Sequence, residues 1–75
     1  MNDAPQETFI PVQSSVLQIV AHGVSGILEL TFRSGAVYRY SEVPSEIVHA
    51  LLAAESKGAF FNRHIRDHFP YQHVA

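Results

Sequence analysis

At 75 residues the chain has room for one domain, and with no cysteine it has neither disulfides nor a thiolate for catalysis or zinc binding. Its 47% hydrophobic content supplies a core from aliphatic and aromatic packing, while a net charge of −2 argues against a general nucleic-acid coat. The longest apolar runs are far short of the ~20 residues that span a bilayer. Residues 1–15 carry Asp3 and Glu7 but no basic or apolar leader segment, so a soluble cytoplasmic protein with no membrane partner is expected.

Residues 1–11 contain Pro5 and Pro11, show no period and read as a flexible tail. Regularity begins at Val12. The run from Ser15 to Ala21 is rich in β-formers and predicts a first strand, with Leu17, Ile19 and Ala21 on one face and Val16, Gln18 and Val20 on the other. Two glycines in His22-Gly23-Val24-Ser25-Gly26 mark a turn. Ile27 to Phe32 alternates, with Leu28, Leu30 and Phe32 sharing one side, as in a half-buried antiparallel strand.

A second turn around Gly35 leads into Val37-Tyr38-Arg39-Tyr40 and makes a hairpin. Its register has two solutions. A two-residue loop, Ser34-Gly35, sets Leu30 opposite Arg39 and places both tyrosines away from Leu28, Leu30 and Phe32. A three-residue loop, Arg33-Ser34-Gly35, sets Phe32 opposite Ala36, Leu30 opposite Tyr38 and Leu28 opposite Tyr40, with Glu29 facing Arg39. The second gathers the large apolar residues on one face and pairs opposite charges on the other, so it is the expected register.

Pro44 suits the first turn of a helix running to Ala54, with Ile47, Val48, Leu51 and Ala54 as its apolar stripe. Ser56 is a natural cap for a second helix, in which Phe61, Ile65 and His68 share a face. Gly58 in its first turn points to close backbone packing, and Pro70 ends it. The expected fold is α+β: a three-stranded antiparallel β-meander followed by two helices packed on one face. Residues 12–70 form the domain and residues 71–75 a C-terminal tail.

Several of these features coincide with one family. Ser15, Leu28, Phe32, Gly35, the Tyr38-Arg39-Tyr40 triplet, Val43-Pro44 and the run Ser56-Lys57-Gly58-Ala59-Phe60-Phe61-Asn62-Arg63-His64-Ile65-Arg66 resemble the KTSC domain, a module named for the C-terminus of some lysyl-tRNA synthetases. The likeness covers about residues 12–70 and is similar to the free-standing small bacterial form. It departs at His22, where the family often has Tyr. The resemblance implies no established activity, and its synthetase context implies RNA as a partner.

Residues 1–28 hold Asp3 and Glu7 without Lys or Arg, whereas residues 57–75 set Lys57, Arg63 and Arg66 against Asp67, with three histidines. Lys57, Asn62, Arg63, His64 and Arg66 are therefore candidates for a phosphate-binding surface at the second helix. Against this stands an ordinary solvated face with Asp67 pairing Arg63. Tyr38 and Tyr40 are candidates for base stacking, against a role as core residues. His64 and His68 have the i, i+4 spacing of a zinc helix, but a third ligand would have to be His73, His49 or Asp67, so no metal or cofactor is expected. No serine–histidine spacing and no phosphate loop points to catalysis. The expectation is a non-enzymatic binding module for RNA, tRNA or another structured RNA. The alternative is a protein-interaction or homodimerisation module using an outer sheet patch of Val20, Ile27 and Val37.

Overall fold

The computed structural model describes residues 8–23 and 25–75. Residues 1–7 of the tail expected over residues 1–11, and Val24 of the first turn, lie outside the described residues. Five strands, β1 (Thr8–Pro11), β2 (Leu17–His22), β3 (Leu28–Phe32), β4 (Val37–Tyr40) and β5 (Tyr71–His73), form one antiparallel sheet in the order β1-β2-β3-β4-β5. Between β4 and β5 the chain makes helix α1 (Ser45–Ala53), the short helix α2 (Lys57–Phe60) and a π-helical segment, Phe61–Ile65, that continues α2.

The α+β class and the two helices match expectation, but the sheet has five strands where three were expected. β1 and β5 are the edges, built from stretches read as tails. They are short and mostly exposed, so no apolar alternation marks them. What holds them is backbone pairing to an already ordered neighbour. Pro11 fits because an edge strand has one side on which no N–H is required.

The hairpin takes the three-residue loop. Leu28 faces Tyr40, Leu30 faces Tyr38 and Glu29 faces Arg39. The Phe32 N–H donates to the Ala36 carbonyl at 2.9 Å, and the Gly35 N–H donates back to the Phe32 carbonyl at 2.9 Å. Gly35 sits at φ +99°, a conformation closed to most side chains.

β2 departs from strict alternation. A bulge between Leu17 and Ile19 leaves Leu17 opposite Phe32 but brings Val20 opposite Leu30. Leu17 and Val20 are thus both fully buried on the inner face, while Ile19 and Ala21 turn to the outer face beside Thr31 and Glu29. The expected grouping of Leu17 with Ile19 and Ala21 fails for this reason, and Val20 leaves the outer patch.

The core lies between the inner sheet face and the helices. Leu17, Val20, Leu28, Leu30, Tyr40 and Val43 pack with Val48 and Leu51 of α1 and with Phe61 and Ile65. Each fully buried aliphatic side chain contributes about 1.5–3 kcal/mol. Pro44 stands one residue outside α1, as its N-cap, and Ala54 stands one residue beyond the helix end.

Ser56 caps α2 as expected, its Oγ accepting from the Ala59 N–H at 3.3 Å. The helix then widens: the Arg66 N–H donates to the Phe61 carbonyl at 2.8 Å, an i to i+5 bond. Asp67 at φ +66° turns the chain away, well before Pro70. Phe61 and Ile65 keep their inward stripe, but His68 falls beyond the helix and is exposed.

Gly58 is buried against the loop before β2. A Cβ there would lie 2.8 Å from Val16 Cγ2 and 3.2 Å from Val16 Cβ. Val16 is β-branched and cannot swing its methyl aside at low cost. Gly58→Ala gains about 1 kcal/mol of helix propensity. It costs about 1–3 kcal/mol in overpacking. The expected net loss is roughly 1 kcal/mol, and Val16→Ala in the same chain should recover most of it. Urea denaturation of the single and double variants checks both.

Candidate functional site

The inner sheet face changes character from β3 to β5. Two cross-strand rows run through it: Ile10, Val20, Leu30, Tyr38 and His73, and Thr8, His22, Leu28, Tyr40 and Tyr71. Both end in aromatic rings, because Tyr38 and Tyr40 alternate on β4 and Tyr71 and His73 on β5. The π-helical segment brings Phe61 down onto this end. Phe61 meets Phe32 at 5.3 Å and Tyr40 at 5.8 Å between ring centroids, both edge to face. Tyr71 leans on Tyr38 and Tyr40 at 5.7 and 5.6 Å.

These five rings, Phe32, Tyr38, Tyr40, Phe61 and Tyr71, line a cleft of about 270 Å³ with Arg66 and Asp67 beside them. Arg66 and Asp67 are exposed and form its charged rim. Arg66 Nη1 donates to Asn62 Oδ1 one turn back, at a long 3.4 Å, so Asn62 biases where the guanidinium points.

Of the residues singled out in the sequence, Tyr38, Tyr40 and Arg66 meet in this cleft, with Asn62 behind Arg66. Tyr40 is only 3% exposed and presents no open ring face. Tyr38 is half-buried, and one face is stacked on His73 at 4.6 Å with the rings 6° apart. Arg63 and His64 line a separate depression with Ala54, Ser56, Ala59 and Phe60, where the His64 ring lies 4.5 Å from that of Phe60. Lys57 Nζ donates to the Ala54 carbonyl at 2.9 Å and so closes the end of α1. The basic residues therefore divide between two depressions and a helix cap. Among the described residues the close ion pair is Glu29–Arg39, not Arg63–Asp67, and no three metal-ligating side chains come together.

Tyr71 and Asp67 complete the cleft, and neither stands out in the sequence as a lining residue. Tyr71 falls in a stretch read as tail, although Tyr71-Gln72-His73 repeats the alternation of Tyr38-Arg39-Tyr40. Asp67 carries no signal beyond its charge.

Burial pushes the Tyr40 phenol above the usual tyrosine range, with Tyr71 and Tyr38 acting in the same direction. In the unfolded chain a tyrosine ionises near pH 10. Tyr40 therefore contributes stability that is fully present below that pH and disappears as pH rises through its higher folded value. The urea midpoint of the wild type should fall above about pH 10 more steeply than that of Tyr40→Phe, which lacks the ionisable group.

The chain is 42% identical over 67 residues to an uncharacterized protein of Stutzerimonas stutzeri, covering 87% of this chain and 94% of that one. It is 38% identical over 48 residues to a lysine–tRNA ligase of a Nostoc species, covering 64% of this chain but 9% of the ligase. The crystal structure of a KTSC domain protein from Yersinia pestis superposes with a TM-score of 0.86 at 28% identity, over 92% of this chain and 99% of that one. The KTSC domain family profile matches residues 13–69, which hold β2, β3, β4 and the helices, and this chain belongs to the KTSC domain family.

Proposed function

We propose that the protein is a non-catalytic, cytoplasmic binding module that contacts unpaired segments of a structured RNA such as tRNA. The observation that carries this reading is the ring-lined cleft opening beside Arg66, with Arg63 and His64 exposed one turn earlier. Sequence-specific proteins take unpaired RNA bases onto aromatic rings while nearby cations hold the phosphates. The stretch shared with lysine–tRNA ligases gives the reading further support.

An overall charge of −2 makes the local cations decisive, so binding should weaken steeply with salt. Fluorescence anisotropy with labelled tRNA tests this. Removing the cation that neutralises one phosphate should flatten the log K against log salt slope by about 0.7 on a single strand. Arg63→Gln should do so, and Arg66→Gln should weaken binding, both while leaving the unfolding midpoint within error. No binding of tRNA or single-stranded RNA at about 50 mM salt would end the reading.

A second reading, self-association through the outer sheet face, has its own support. Phe9 is 58% exposed there, on the same face as Ile19 and Val37, and among the described residues no helix packs over that side. Concentration-dependent sedimentation abolished by Phe9→Ser would establish it.

A further inference from the structure

The shape and chemistry of the aromatic cleft narrow its occupant. Its volume of about 270 Å³ falls at the lower edge of small-molecule pockets, which run from about 300 to 1,000 Å³. A single base or side chain fits that space, and a helix or a duplex does not. The rings favour a flat, polarisable group. The rim offers one cation and one carboxylate on consecutive residues, Arg66 and Asp67. An ammonium or guanidinium guest gains from rings and carboxylate but meets Arg66, and a bare phosphate gains from Arg66 but meets Asp67. A neutral base, with a flat face and an edge of mixed donors and acceptors, satisfies both.

The edge pattern discriminates further. Arg donates only, and an ionised Asp accepts only, through two oxygens. On its Watson–Crick edge guanine presents the O6 acceptor followed by two neighbouring donors, N1–H and N2–H₂. A carboxylate meets those two donors with both oxygens, and a guanidinium meets O6. Adenine offers one donor beside one acceptor, and uracil a single donor between two acceptors, so either leaves a carboxylate oxygen unpaired. The structure holds the two rim residues in distinct ways. Asn62 contacts the Arg66 guanidinium, and the left-handed turn at Asp67 starts its side chain from where the helix has ended. Tyr71, 56% exposed on the edge strand, keeps ring surface open to a guest. Tyr40 lines the cleft beside Arg66 and Asp67.

We propose, building on the RNA reading above, that this cleft takes one unstacked guanine base of the RNA, with Asp67 accepting from N1–H and N2–H₂ and Arg66 donating to O6. Tyr71 supplies the stacking surface. The remaining nucleotides run past the exposed cations without being read.

Labelled short oligouridines carrying a single central guanosine, a single adenosine or neither test this by anisotropy. The guanosine oligomer should bind about tenfold tighter than the other two, as expected for one bidentate base contact. Asp67→Asn removes the charge and one acceptor, and Asn tolerates the left-handed conformation, so the fold is kept. It should bring all three oligomers within about twofold of each other. Tyr71→Ala should weaken the guanosine oligomer most. Guanosine monophosphate, but not adenosine monophosphate, should shift the ring resonances of Tyr38 and Tyr71. Equal binding of all three oligomers by the wild type, or a guanosine preference that survives Asp67→Asn, overturns the guanine site while leaving the RNA reading intact. No binding of any oligomer at low salt overturns both, and occupation of the cleft by an arginine-rich peptide in preference to RNA overturns it in favour of a protein guest.

Discussion

The hairpin register between β3 and β4 is the constraint on which the rest of the structure depends. Side chains alternate with period two, so a slip of one residue would carry Tyr38 and Tyr40 to the outer face and deprive Leu28 and Leu30 of their aromatic partners on β4. The three-residue loop prevents this because Gly35, at φ +99°, accepts a conformation that completes a bulged turn. Once Leu30 faces Tyr38, the inner face is continuous and apolar, and α1 and the segment around Phe61 have a surface to cover.

The outer face reinforces the same register. Phe9, Ala21, Glu29, Arg39 and Gln72 form a row across all five strands. At its centre Arg39 Nη2 meets Glu29 Oε2 at 2.8 Å. A cross-strand pair of this kind contributes about 0.2–1 kcal/mol, little beside the core. Its value is specificity, since the competing register would set Arg39 against Leu30. Ala21, only 2% exposed despite facing outward, lies in the row between Phe9 and Glu29.

The readable and unreadable parts of the fold separate on physical grounds. The hairpin register, the Ser56 cap and the tight approach at Gly58 each arise from a single strong local rule: alternation with charge pairing, a hydroxyl at a helix start, a residue without a Cβ. The bulge in β2 was not readable because Leu17 and Val20 obey alternation only once an extra residue has been inserted, and nothing in Leu17-Gln18-Ile19-Val20 identifies which one. β1 and β5 were not readable because an edge strand needs a neighbour's hydrogen bonds more than a buried face. The turn at Arg66 and Asp67 came earlier than Pro70 implied, because the i to i+5 bond onto Phe61 closed the helix first. For the site, Tyr38, Tyr40 and Arg66 were legible as residue types, but their meeting point was not.

The cleft is made by those irregular parts. Had the second helix run regularly to Phe69, the chain would have carried Arg66 and Asp67 round its axis and delivered Tyr71 well past β4. The wide turn at Phe61–Ile65 and the left-handed Asp67 instead end the helix beside the sheet. The chain then crosses back, with the Ser41 N–H bonding the Pro70 carbonyl at 2.9 Å, and sets Tyr71 opposite Tyr40. One interruption therefore does two things: it leaves two opposite charges at a rim and brings a fifth ring to the wall. Interruptions of helical geometry concentrate at functional sites, because a regular helix does not present adjacent side chains to one point. Tyr40 joins the two halves, its ring packed in the core against Phe61 and also lining the cleft, so the surface that meets a guest is continuous with the packing that sets the register.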